Sequence, residues 1–334
     1  MKRPNKLIEQ IIDPDNLREA FWKAQKGKSY AKAVQQFRVD LGENLMQLRT
    51  EIEQGQVKVG DYRFFKIYEP KEREICAPAF REQVLHHSLM NICHAYFERK
   101  QIYDSYASRK GKGTYAALAR ARTYTLKYSY FLKLDVKAFF ASIHHDVLKQ
   151  QLAKLFKDKQ LLNILSTIID SYPSKDTRGL PIGNLTSQYF ANHYLSGLDH
   201  FIYEELPCKA YVRYMDDMIV WHNDKVVLKQ IHVAIEHFVE SRLGLKLKPA
   251  LLNKTKRGLP FLGYLIHPNH TRLSQQSKQR YIKKLSIIDQ NYTAGNWSEA
   301  HCQQKVLPLI AFTRHADTEI FRKNVLLRIQ GQSS

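Results

Sequence analysis

The sequence predicts an α+β fold in which helices pack on one face of an antiparallel sheet. Three observations carry that prediction. Apolar runs of strand length are few, and the stretches between them repeat their apolar residues at helical spacing. Two such runs, Tyr211–Met215 and Met218–Trp221, are joined too tightly for anything but an antiparallel hairpin.

The elements follow in order. Val34, Phe37, Leu41, Leu45, Leu48 and Ile52 recur at spacings of three or four and predict one long helix that Gly55 ends. Residues 62–77 read as a hairpin around a Glu69-Pro70 turn, followed by a helix from Phe80 to Lys100. Ser108–Gly113 is a basic loop broken by glycine. Tyr130–Asp135 has the pattern of a buried strand ending on a carboxylate. Helices are predicted over His145–Ile169, Thr186–Leu206 and Val226–Leu243, and short strands near Leu245–Lys248 and Phe261–Ile266. The remainder reads as helical, with Tyr281, Leu285 and Ile288 forming an inner stripe while Arg280 and Lys283 point away.

Charge narrows the partners. Fifty-two Lys and Arg against 32 Asp and Glu leave +20, a balance that attracts polyanions by releasing their counterions. Nineteen Tyr and 16 Phe supply stacking surface, so nucleic acid is the expected partner. No apolar run approaches the ~18–20 residues of a membrane span, and no basic amphipathic segment dominates, so no membrane partner is expected. No signal peptide is read at the amino end. Cys76, Cys93, Cys208 and Cys302 lie far apart without metal-ligand spacing, which suits a reducing, cytoplasmic compartment.

Chemistry concentrates at two places. Asp135 ends an apolar strand, and Asp216-Asp217 sit inside the apolar hairpin as Tyr-Met-Asp-Asp (214–217). Acids set between apolar strands are costly unless something compensates their charge. Two strands of one sheet could bring Asp135 and Asp216 onto a pair of divalent cations. Hard carboxylate oxygens suit Mg²⁺, and such a pair runs in-line phosphoryl transfer.

These segments, in this order, resemble the motifs of reverse transcriptases, and the similarity runs from about residue 60 onward. The Asp135 segment resembles that family's motif A, residues 179–199 motif B, Tyr-Met-Asp-Asp motif C, Leu243–Lys256 motif D, and residues 258–266 the hairpin that grips the primer end. The resemblance implies a right-hand polymerase of fingers, palm and thumb, with an antiparallel palm sheet backed by helices and a helical thumb. The expected boundaries are an N-terminal helical extension over 1–60, fingers and palm over 61–268, and thumb over 269–334. It further implies RNA-directed DNA synthesis with Asp135, Asp216 and Asp217 as carboxylates for two Mg²⁺ ions, for which Mn²⁺ can substitute. Phe140 is expected to exclude the 2′-hydroxyl of the incoming sugar, favouring deoxynucleotides. Arg63, Lys71 and Arg73 are expected at the triphosphate, and Arg109, Lys110, Lys112, Tyr214, Met215 and Gly263 at template and primer. Lys254 and Lys256 are both candidates for a lysine that protonates pyrophosphate.

Motif B departs from the commoner Pro-Gln-Gly form. Ile182 stands where those relatives carry glutamine, and Gln188 where they carry proline, with Gly183 retained. That form resembles the reverse transcriptases of diversity-generating retroelements. It implies error-prone copying at template adenines, a retroelement template RNA, a primer strand, dNTPs and a small basic accessory variability protein. A group II intron or retron-like enzyme, and a polymerase-shaped RNA-binding assembly factor without chemistry, are the alternatives. Relatives also often carry Asp-Arg where this chain has Glu82-Gln83, so a basic contact there is not expected.

Overall fold

The computed structural model describes residues 5–68, 72–173 and 176–330. Its centre is a four-stranded antiparallel sheet formed by β3 (Tyr130–Asp135), β4 (Tyr211–Tyr214), β5 (Asp217–His222) and β6 (Leu251–Lys254), in the order β4-β5-β3-β6. A separate two-stranded hairpin pairs β1 (Tyr62–Ile67) with β2 (Arg73–Pro78). Glu69, Pro70 and Lys71, where the sequence predicts the turn, lie outside the described residues. A third small sheet holds β7 (Leu259–Phe261), β8 (Tyr264–Ile266) and β9 (Thr271–Leu273).

Alternation along the strands decides what each face of the central sheet carries. Leu132 and Leu134 of β3, with Met218 and Val220 of β5, enter the larger core beneath Leu228, Ile231, Ile235 and Val239 of the helix Lys225–Leu243. Each such fully buried side chain contributes roughly 1.5–3 kcal/mol. Phe131, Ile219 and Trp221 point to the other face, where the helix Thr114–Lys127 and the β7–β9 sheet cover them. Lys133, Asp135 and Asp217 share that second face by the same alternation. The cover therefore spans the far end of the sheet, and the acidic end stays partly open.

Several helices are shorter than the apolar periodicity predicts. The stripe from Val34 to Ile52 is two helices, Lys32–Val39 and Leu41–Gln54, broken where Asp40 leaves helical geometry at φ −113°, ψ 46°. Gly55 ends the second in the left-handed conformation. The span His145–Ile169 divides into His145–Leu155 and Lys159–Asp170, because Asp158 turns its side chain onto the Leu161 N–H and caps the second helix. Leu245–Lys248 is no strand. Its contribution to pairing is an isolated bridge between Leu247 and Val136, and the sheet resumes at β6. Three helices follow β9: Gln275–Thr293, Glu299–Thr313 and Glu319–Gln330, with Tyr281, Leu285 and Ile288 buried among them.

Candidate active site

In the β3–β5 ladder Asp135 lies directly opposite Asp217, so both carboxyls rise from the same face. In the β4–β5 ladder Tyr214 lies opposite Asp217, which leaves Met215-Asp216 as a two-residue turn. Asp216 is thus carried to the edge of the Asp135–Asp217 pair. Met215 adopts φ 56°, a left-handed conformation costing roughly 1–3 kcal/mol for a side chain of this kind unless its surroundings enforce it.

Arg213 helps to hold it. Its Nη1 donates to the Met215 carbonyl at 3.1 Å and to the Asn192 side-chain oxygen at 3.1 Å. Its Nε and Nη2 grip both oxygens of Asp199 at 2.6–3.0 Å, and Nη2 also reaches Gln101 at 3.1 Å. Arg213 and Asp199 are each 0% exposed. Tyr211 adds a hydroxyl donation to Asp199 at 2.9 Å. Sequence reasoning missed this pair. The available signal was an arginine in the middle of an apolar strand, which requires a buried partner.

The acids press on one another. Burial, and then the charge of Asp135, raise the Asp216 pKa. Burial pushes Asp217 up to about 6, opposed mainly by Lys133. The Lys133 ammonium sits 3.0 Å from Asp217 Oδ2 and donates to the Pro260 carbonyl at 2.9 Å, tying β3 to β7. The Lys248 ammonium sits 2.6 Å from Asp135 Oδ1, and its backbone N–H donates to the Asp135 carbonyl at 2.8 Å. Asp217 Oδ1 is buried without a hydrogen-bond partner. Two lysines thus supply the positive charge that crowded carboxylates demand. Among the described residues no three His, Cys, Asp or Glu side chains already converge on one ion position. The donor set still fits hard divalent cations in kind: it is all carboxylate, and Asp217 Oδ1 is unpaired.

Lys254 and Lys256 stand elsewhere. Lys254 pairs with Tyr130, five residues along β3 from Asp135 and so roughly 17 Å away, and Lys256 lies further on in a 3₁₀ turn. The lysine of this region that reaches the acids is Lys248.

Phe140 and motif B flank the same end. Phe139 is buried and Phe140 only half so, as adjacent residues on a short helix must differ. The Phe140 carbonyl accepts from Leu180 N–H at 2.8 Å, and the Ile182 carbonyl accepts from Cys76 N–H of β2 at 2.8 Å. Gly183 has φ +130°, and a Cβ there would stand 2.8 Å from the Cys76 carbonyl oxygen, so glycine is what lets this segment lie against β2. Gln188 is exposed on the following helix, Leu185–Tyr194.

The basic candidates separate. Arg73, next to the hairpin turn, is close enough for its charge to lower the Asp216 pKa. Arg63 lies at the opposite end of the hairpin, across from Ala77, with its guanidinium 5.6 Å from the Phe65 ring. Lys71 lies outside the described residues. Arg109 donates to Glu98, Ile102 and Ser105 at 2.5–3.1 Å and so braces its own loop. Lys112 likewise turns onto Tyr103, 3.3 Å from the ring centre, whereas Lys110 is exposed. The Tyr214 hydroxyl is 3.1 Å from Thr114 Oγ1. Gly263, at φ +88°, meets Ser277 and Phe312, so the tip of the β7–β8 hairpin is where the last helices dock.

The model of one protein family, described as reverse transcriptase (RNA-dependent DNA polymerase), matches residues 71–266. The chain belongs to the reverse transcriptase family. Among curated relatives of the chain, a putative COX1/OXI3 intron 2 protein of Saccharomyces cerevisiae is 23% identical, over 55% of this chain and 29% of that protein. Nuclear intron maturase 1, mitochondrial, of Arabidopsis thaliana is 27% identical over 27% of this chain and 13% of that protein. The chain spans less than a third of the length of these relatives. Among solved structures, apo telomerase of Candida tropicalis aligns with TM-score 0.52 and 14% identity, over 86% of this chain and 66% of that one. Telomerase of the same organism bound to a fragment of telomeric RNA aligns at 0.51 and 14%, over 81% and 56%. These likenesses establish a right-hand polymerase fold.

Proposed function

We propose that the chain is an RNA-directed DNA polymerase that extends a primer along an RNA template from dNTPs. What carries the reading is the meeting of Asp135, Asp216 and Asp217 at one sheet end in a member of this family. Asp135, Asp216 and Asp217 would hold two Mg²⁺ ions, with Mn²⁺ able to substitute. The ions would supply Lewis-acid activation of the primer hydroxyl and neutralise the leaving pyrophosphate. Arg73 would orient the triphosphate, with Arg63 on the same hairpin and Lys71 as a further candidate. Lys248 is the ammonium placed to give a proton to pyrophosphate. Tyr214 and Met215 would support the primer end, with Gly263 in the hairpin behind them. The N-terminal extension over 1–60, fingers and palm over 61–268 and thumb over 269–334 fit this division of labour. Primer extension on a defined RNA template tests the reading; template binding without dNTP incorporation under Mg²⁺ or Mn²⁺ would instead indicate an assembly factor.

Phe140 would set sugar choice. Phe140→Ala is expected to raise ribonucleotide use relative to deoxynucleotides by roughly 10- to 200-fold, the range that a one-group steric filter spans. Competition between labelled rNTP and dNTP measures it, and an unchanged ratio removes Phe140 from this role.

Two readings of the subtype differ in their support. The relatives named for introns, an intron 2 protein and an intron maturase, favour a group II intron or retron-like enzyme. Ile182 and Gln188 favour a diversity-generating retroelement, copied with errors at adenines and assisted by a small basic accessory variability protein. Under the second, Ile182→Gln, which restores a polar contact, is expected to lower misincorporation opposite template adenine. Sequencing of cDNA from both proteins decides, and equal fidelity at adenine and other bases in the unaltered chain favours the intron type. Among the described residues no helix is long and apolar enough to cross a membrane. The four cysteines are buried free thiols, which supports a reducing, cytoplasmic setting.

A further inference from the structure

We propose that Lys28, on the loop between the N-terminal helices Pro14–Gln25 and Lys32–Val39, binds a phosphate of the single-stranded RNA template at a subsite beside the polymerase centre. The inference rests on the polymerase reading for the identity of the strand. Lys28 Nζ contacts the side-chain oxygen of Gln83, whose own amide nitrogen is fixed on the Pro78 carbonyl at 2.8 Å. An ammonium has three donors, and Gln83 is a neutral acceptor for one of them. No acidic side chain pairs with Lys28 among the described residues, although burial already pulls its pKa down. A half-buried cation without a counter-ion is costly until an anion arrives.

The surroundings are shaped for one. Lys28 lines a cavity of about 340 Å³ together with Ile75, Gln83, His87, Gly183 and Gln188. Burial, and then Lys23 and Lys28, bring the His87 pKa down to about 4, so the imidazole is a neutral partner for polar groups. The cavity follows β2 away from the carboxylates. Arg73, Ile75 and Ala77 share one face of that strand, with the Arg73 end felt by Asp216 and the Pro78 end beside Lys28. Five residues of strand separate these ends by roughly 17 Å. A triphosphate reaching the acids is therefore served at the Arg73 end. An anion at the Lys28 end belongs to a strand running past motif B. Tyr30, two residues from Lys28 and 94% exposed, offers a ring on which an unpaired base can stack.

The test compares the unaltered chain with Lys28→Ala, Lys28→Gln and Lys28→Arg. Binding is measured across a KCl series to a primer–template with a 5′ RNA overhang and to a blunt one, with dNTP KM alongside. Lys28→Ala and Lys28→Gln are expected to weaken overhang binding roughly fivefold and to lower the salt slope by about 0.7, the loss of one single-strand phosphate contact. Blunt-duplex binding and dNTP KM should hold, and Lys28→Arg should restore both affinity and slope. An unchanged slope overturns the proposal. So does a raised dNTP KM with overhang binding intact, because the anion is then the triphosphate. If the unaltered chain extends no primer yet the slope still falls, the subsite stands and the polymerase reading fails.

Discussion

Asp216→Asn is expected to reduce primer extension by about three orders of magnitude or more while leaving the protein at least as stable. The amide keeps the shape of the carboxylate but removes the charge that a cation needs at the tip of the Met215-Asp216 turn. Single electrostatic groups at a reacting centre are worth about 10²–10³-fold, and groups acting as a unit exceed that. Stability should move the other way. Burial and Asp135 raise the Asp216 pKa, so the ionised group is less favourable in the fold than in the open chain. A neutral residue of the same size removes that cost. Steady-state extension on RNA, with a thermal melt of each protein, checks both halves. Equal incorporation by the two proteins would end the polymerase reading, and a large drop in melting temperature would show that Asp216 is structural.

The acids were legible because their signal is local. A strand ending on Asp135 and a hairpin carrying Asp216-Asp217 are each visible in a few residues, and antiparallel register then brings Asp135 opposite Asp217. Gly55 as a helix stop and the buried stripe of Tyr281, Leu285 and Ile288 are readable for the same reason. What stayed hidden is set by contacts distant in sequence. Periodicity continues smoothly through Asp40 and through Asp158, yet packing turns the chain at both. The Lys28–Gln83 contact joins residues 55 positions apart, and nothing around either one announces the other. Arg109 looked like an exposed cation in a basic loop, but Glu98 and two carbonyls from the preceding turns consume it. Lys248 was passed over for Lys254 and Lys256 because the end of the sheet on which each falls depends on where β6 begins.

Arg213→Met is expected to destabilise the protein by about 3–5 kcal/mol, the range for removing one partner of a buried ion pair. The loss comes less from the missing attraction than from Asp199, left at 0% exposure without its counter-ion and with Tyr211 as its remaining hydroxyl donor. Gln101 and the Asn192 side chain also lose the guanidinium. The paired change Arg213→Met/Asp199→Leu should recover most of that stability, since apolar replacements of a whole buried pair are often neutral or better. It should not recover activity. The Met215 carbonyl accepts from Arg213, and that bond helps hold Met215 at φ 56° and so fixes where Asp216 points. Methionine donates no hydrogen bond. A double variant that is stable yet slow, with kcat lowered more than template affinity, marks Arg213 as a positioning residue for the acidic turn. Full activity in a stable double variant would mean that the strand pairing of Tyr214 with Asp217 sets the turn unaided.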